Sequence, residues 1–270
     1  MAKANYATPP GGLPPQGDMV GRQAIFTESY ALIPGDTMTD IVTSLLPGWR
    51  NTRAWVIARP LTGFAETFSQ TIVEIAPGGG SDAPEPDTQA QAALFVVAGQ
   101  LDLRCEGKRY LLDAGGYAYV PAGTPWSVES PQGATFHWVR KRWEPAPGIE
   151  KPEVVVSSDA ATPPSPMPDT DGRWATTRFV DPNDLRHDMH VNIVTFEAPA
   201  MIPFPETHVM EHGLYVLEGE ADYLLNRDWH RVGPGDFMWL RAFCPQACRV
   251  LEGRFRYLLY KDVNRLPKLW

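Results

Sequence analysis

Cysteine is scarce in this chain: Cys105, Cys244 and Cys248 are the three it has among 270 residues. An odd count without framework spacing excludes a disulfide-stapled secreted scaffold and fits a reducing compartment. Positive charge is also in deficit, with 24 Lys and Arg against 32 Asp and Glu and a formal net charge of −8. No basic cluster stands out to neutralise phosphates, which argues against a nucleic-acid surface and leaves a small molecule as the expected partner. Long hydrophobic runs are missing too. No uncharged apolar stretch approaches the ~20 residues of a membrane span, and "MAKANYATPPGGLPPQG" at the start carries no apolar signal core. These absences predict a soluble, cytoplasmic protein with no membrane contact. Long amphipathic helical patterns are absent as well.

What the chain has is punctuation. Its 27 Pro and 23 Gly separate short runs of Val, Ile, Leu and aromatic residues, such as "QTIVEIAPGGG", "ALFVVAG", "YAYVPAG" and "YVLEGEADYLL". That rhythm predicts an all-β fold, a sandwich or barrel. Two segments share the punctuation at a constant offset of 120: Gly99 with Gly219, Asp102 with Asp222, Gly115 with Gly235, and Trp126 with Gln246. One supersecondary unit used twice explains this, and its short strands and tight turns suit a small antiparallel barrel or jelly roll. A further strand is expected ahead of each unit, from Thr71 and from Val191. Between the units, Glu144 to Gly172 is rich in Pro, Ser and Asp and reads as a linker, one able to wrap the first barrel. The expected division is residues 1–145, a linker over 146–172, and 173–270. Exposed strand edges in both barrels predict a homo-oligomer.

In the second unit, "ETHVMEHGLYVLEG" places Glu206, His208 and His212 within seven residues. On a strand, residues two apart share a face, so all three can look into a barrel, with Gln246 reaching in from another strand. Two imidazoles, a carboxylate and an amide oxygen suit Mn²⁺ or Fe²⁺ better than a thiolate-seeking structural zinc, and four ligands leave two octahedral positions for a substrate. The same residues also fit a solvated strand edge; the match to the repeat favours the metal reading. The corresponding positions of the first unit hold Pro86, Thr88, Ala92 and Trp126, which predicts a metal-free barrel with a packing role. Cys244 and Cys248 alternate with Gln246 and are expected to act as small apolar fillers, or, if they approach the cation, to favour Zn²⁺. Glu211 has the wrong parity for the interior and reads as a surface carboxylate. His137 and His230 read as surface or packing histidines, with His187 and His190 near the start of the second barrel.

These residues resemble the cupin superfamily, whose first motif is similar to H-x-H-x3-E-x6-G and whose second is G-x5-P-x-G-x2-H. Here Glu206 stands at the first His position, His212 at the Glu position and Gln246 at the second-motif His; the Pro-x-Gly step survives in the first unit only. The order Glu, His, His, Gln, with the tail "RYLLYKDVNR" from Arg256 to Arg265, looks like the (S)-ureidoglycine aminohydrolase family of bicupins. That resemblance implies two tandem cupin barrels with a double-stranded β-helix fold. It also implies a Mn²⁺ cofactor and hydrolysis of (S)-ureidoglycine to (S)-ureidoglycolate and ammonia in allantoin and purine breakdown. Metal ligands carry over to Glu206, His208, His212 and Gln246, and substrate contacts to Glu206, Gln246, Tyr257 and Lys261, with Glu206 and Lys261 the expected catalytic groups. Without the family match, Lys261 would read as a surface lysine. Tyr257 and Tyr260 have opposite parity, so only one of them can face the barrel. The rival expectations are another metal-dependent bicupin, a dioxygenase or isomerase, and a bicupin that binds a small molecule without catalysis.

Overall fold

The structure, a computed structural model, describes residues 22–38 and 46–263. The proline-rich start and the last two residues of the tail motif lie outside the described residues. Strands dominate, and they fall into two barrels that follow the repeat. Strands Ala90–Cys105, Gly116–Val120 and Trp126–Ser130 of the first barrel correspond to His212–Glu218, Phe237–Leu240 and Gln246–Val250 of the second.

The correspondence extends to register. Ala92 lies opposite Val120 as His212 lies opposite Leu240, and Cys105 lies opposite Trp126 as Leu225 lies opposite Gln246. Gly99 and Gly219 take φ of 73° and 72°. A Cβ at either would fall 2.2 Å from the Gly133 carbonyl oxygen or 1.8 Å from that of Arg254, so both the left-handed backbone and the close approach demand glycine.

Strand alternation sorts the apolar residues into three cores. Leu94, Leu103, Val128, Phe136 and Trp138 fill the first barrel, while Leu214, Val216, Met238, Phe255 and Tyr257 fill the second. The outward faces of the same strands pack against each other. Phe68 stacks on Tyr260 at 3.9 Å between ring centroids, Tyr117 on Phe179 at 4.1 Å, and His137 lies 4.1 Å from Tyr215. This explains why "RYLLY" is apolar at every second step in both registers: Tyr257 looks inward, whereas Leu258 and Tyr260 look toward the other barrel. A buried polar latch adds direction. Asp188 accepts hydrogen bonds from Gln91, from Lys141 at 2.5 Å and from the Glu144 N–H at 2.8 Å.

The barrels also exchange edge strands. Tyr30–Ile33, which precedes the first barrel in sequence, pairs with Phe237–Leu240 of the second, and puts Tyr30 and Leu32 into its core. Val155–Ser158, from the segment between the repeats, pairs with Gly116–Val120 of the first. Each barrel therefore has one sheet edge closed by chain from ahead of the other repeat, which protects edges that would otherwise be open. Among the described residues no helix is long and apolar enough to cross a membrane.

Candidate functional site

Gln246 opens the strand Gln246–Val250, and Glu206 meets it in an isolated antiparallel bridge with both backbone hydrogen bonds at 2.9 Å. That bridge sets a carboxylate and a carboxamide side by side at one end of the second barrel. His208 follows in irregular chain, its carbonyl held by the Phe243 N–H at 2.6 Å, and its Nε2 lies 3.4 Å from Glu206 Oε1. The rings of His208 and His212 are 5.2 Å apart. His212 begins the strand His212–Glu218, so of the three motif residues it alone stands on a strand. The expectation of one regular strand from Glu206 to His212 is therefore corrected: the bridge to Gln246 and the turn at 209–210 bring the side chains together, and alternation does not.

The groups are prepared unequally. His212 is buried, and its Nδ1 donates to the Glu211 carbonyl at 2.9 Å, which fixes the tautomer and leaves Nε2 as a lone-pair donor. Burial, then the neighbouring His208, pushes its pKa down to about 3, so it stays neutral. Gln246 is also buried, with its Oε1 accepting from the Tyr223 hydroxyl at 2.8 Å. Glu206 and His208 are partly open to solvent. Among the described residues no three His, Cys, Asp or Glu side chains close into a tight cation cage. The donor set nevertheless fits a divalent ion: a neutral imidazole with Nε2 free, a second imidazole beside a carboxylate, and an amide oxygen oriented by a phenol. Cys244 and Cys248 lie in the apolar core, and burial raises both thiol pKa values, so they remain protonated fillers.

Lys261 lies opposite His212 on one side and His190 on the other, all on the interior face. It is not the plain surface lysine that sequence without kinship would suggest: burial, then Arg178, lowers its pKa. Tyr257 is buried in the same interior, its ring centroid 6.0 Å from that of Tyr223, and burial pushes both phenols well up. Tyr260 faces away, its hydroxyl 2.9 Å from Thr67 Oγ1. His187 sits edge-on to Tyr119 of the first barrel at 4.7 Å, and His137 is a packing histidine between the barrels. His230 is half-buried, 3.2 Å from the Tyr30 hydroxyl.

One expectation, for Glu211, is corrected. Glu211 is no surface carboxylate: it is 6% exposed and accepts from the Glu66 N–H (2.6 Å), the Thr67 N–H (2.8 Å), the Thr67 hydroxyl (2.5 Å) and the Trp239 indole (2.5 Å). Its parity was read correctly, but the face it turns to meets the first barrel and not water. Tyr223 is fully buried, and its hydroxyl holds Gln246. Strand register puts it there, since Tyr223 lies two residues before Leu225, the partner of Gln246. In the first barrel Ala92 and Trp126 lie within an apolar core, while Pro86 and Thr88 are exposed.

Residues 71–140 match the family model described as Cupin domain. The chain is 32% identical over 247 residues to a protein of Oryza sativa subsp. japonica described as probable (S)-ureidoglycine aminohydrolase, covering 91% of this chain and 76% of that protein. It is 28% identical over 253 residues to the (S)-ureidoglycine aminohydrolase of Escherichia coli (strain K12), covering 92% and 94%. A crystal structure of a Pseudomonas aeruginosa protein described as glyoxylate induced superposes with a TM-score of 0.90 at 58% identity, over 99% of both chains.

Proposed function

Since the chain belongs to the (S)-ureidoglycine aminohydrolase family of cupins, we propose that it hydrolyses (S)-ureidoglycine to (S)-ureidoglycolate and ammonia in purine breakdown, with Mn²⁺ held by Glu206, His208, His212 and Gln246. The observation that carries this reading is the bridge joining Glu206 to Gln246, with His208 3.4 Å from the carboxylate and His212 kept neutral beside it. Two imidazoles, a carboxylate and an amide oxygen, with no thiolate, are a donor set that octahedral manganese accepts. A divalent cation at this point would polarise the substrate's donors and acidify a water.

The protein's own groups divide the remaining work. Lys261, half-buried on the interior face, offers a point charge to the substrate carboxylate, and the low-polarity surroundings strengthen that attraction. The Tyr257 phenol, which burial keeps protonated, donates to the ureido carbonyl. Glu206 takes a proton from the attacking water and returns it to the departing amine, so that a C–O bond forms, the C–N bond breaks and the carboxylate ends as it began. The ureido nitrogen on the same carbon assists departure. The apolar barrel around Leu214, Val216 and Met238 excludes further water.

The test is ammonia release from freshly made (S)-ureidoglycine by manganese-loaded protein, measured above the substrate's own decay. Glu206→Ala and Gln246→Ala are expected to abolish it, and chelation to remove it reversibly. Oxygen consumption instead of ammonia release would place the protein among the dioxygenases.

A further inference from the structure

One face of the second barrel carries two cations and an amide oxygen that the fold leaves unused. Pairing sets Arg178 opposite Asn192 and Asn192 opposite Leu259, one interior row from the line His190, Lys261, His212. The same alternation sends Val194, Phe196 and Tyr257 into the barrel core, so Asn192 and Arg178 share the face of His212. Asn192 is 2% exposed, and its Oδ1 is buried without a hydrogen-bond donor. Native folds rarely leave such an acceptor empty, and where they do a ligand or water commonly supplies the donor. Among the described residues neither Arg178 nor Lys261 has a carboxylate in salt-bridge contact; Asp262 acts on Lys261 from farther off, and Arg178 lies near enough to make Lys261 harder to protonate. Like charges set together in a partly buried place repel, and an anion between them turns that repulsion into attraction.

We propose that Arg178 and Asn192 are specificity-determining residues of the site: Arg178 joins Lys261 in clamping the substrate's α-carboxylate, and the Asn192 carboxamide oxygen accepts an N–H of the ureido group. The identity of the substrate, ureido group included, rests on the aminohydrolase reading; the recognition of an anion beside an N–H donor does not. Carboxylate and ureido group held at two places leave the amine directed at Glu206, and three fixed points on one carbon select a single hand. A planar guanidinium grips both carboxylate oxygens, which Lys261 by itself cannot do.

The probes are ureidoacetate, which has both recognised groups and no amine to lose, and its neutral amide, ureidoacetamide, titrated calorimetrically into manganese-loaded protein. Wild type is expected to prefer the acid. Arg178→Gln lowers affinity for the acid about tenfold or more, as expected for a charge-assisted contact, and leaves the amide within about twofold, while Arg178→Lys restores part of the preference. Asn192→Leu weakens both probes by a similar factor without lowering the melting temperature, because it removes an acceptor that has no donor in the fold. With (S)-ureidoglycine, both variants raise KM more than they lower kcat.

Any of four results overturns the proposal: no preference for the acid in wild type, an unchanged ratio in Arg178→Gln, unchanged affinities in Asn192→Leu, or a melting temperature several degrees lower in Asn192→Leu. A wild type that prefers ureidoacetate through Arg178 but releases no ammonia keeps the subsite and rejects the aminohydrolase reading. Ammonia release with unmoved ratios does the reverse.

Discussion

Replacing Glu211 with alanine removes one buried carboxylate that accepts from four donors, the N–H groups of Glu66 and Thr67, the Thr67 hydroxyl and the Trp239 indole; of these the Thr67 hydroxyl has a second partner, the Tyr260 hydroxyl. A hydrogen bond to a charged group contributes about 1.5–3 kcal/mol, and a buried donor left empty costs about 1–3 kcal/mol. The four do not add in full. Glu66 and Thr67 are otherwise exposed, so water can replace part of what the carboxylate gives them. Trp239 is 3% exposed, and its indole N–H has no such recourse. The net loss is therefore about 2–4 kcal/mol, which for a chain of this size lowers Tm by roughly 10 °C. Thermal unfolding followed by circular dichroism measures it. Glu211→Gln keeps the shape and one acceptor oxygen and is expected to lose about half as much. Because Thr67 bonds the same carboxylate, just ahead of Ser69–Ser81 of the first barrel, while Trp239 belongs to the second, the double change with Thr67→Val should cost less than the sum of the two. A fall in Tm below about 2 °C for Glu211→Ala, on the same scale, refutes the view of Glu211 as a tie between the barrels.

Tyr223→Phe removes only the hydroxyl that orients Gln246; manganese affinity is expected to fall about tenfold or more with a stability loss of about 1 kcal/mol, and metal titration beside thermal melting separates the two. Gly213→Val would set a Cβ 2.6 Å from the Phe68 ring, which is already stacked on Tyr260, so the change costs about 1–3 kcal/mol by overpacking; an unchanged urea midpoint contradicts this. His137 is buried between the barrels, and burial pushes its pKa down to about 3. The unfolded chain takes up a proton near pH 6.5 that the folded chain refuses, so this contribution is complete above that pH and is lost as pH falls below it. It amounts to about 2 kcal/mol between pH 7 and 5. Asp262, raised to about 6 by burial, works in the opposite direction between its unfolded value of 3.8 and 6. The comparison is therefore His137→Phe against wild type: the variant should lose less stability from pH 7 to pH 5, and equal losses would show that His137 is protonated in the fold.

The sequence by itself determined the two barrels, because glycines at a fixed offset of 120 mark turns whose backbone no other residue can take, and because alternation assigns each strand residue to a face. It also brought forward the proposed ligands, since Glu206, His208 and His212 are close along the chain and the repeat points to Gln246. Local patterning ends there. Parity says that Glu211 and Tyr260 turn away from the interior, but not whether that face meets water or a second barrel. The pairing of Tyr30–Ile33 with the second barrel was equally invisible, and the linker's wrapping of the first barrel was legible in outline but not as the paired strand Val155–Ser158. Short apolar strands are chemically alike, and which edge each one closes is decided by the packing of the whole chain. The loop that carries Glu206 and His208 to Gln246, the phenol of Tyr223 behind that amide, and the unmatched oxygen of Asn192 are likewise products of tertiary structure. Each depends on a partner distant in sequence, and a pairing energy that exists only once both partners are in place leaves no periodic trace in either segment.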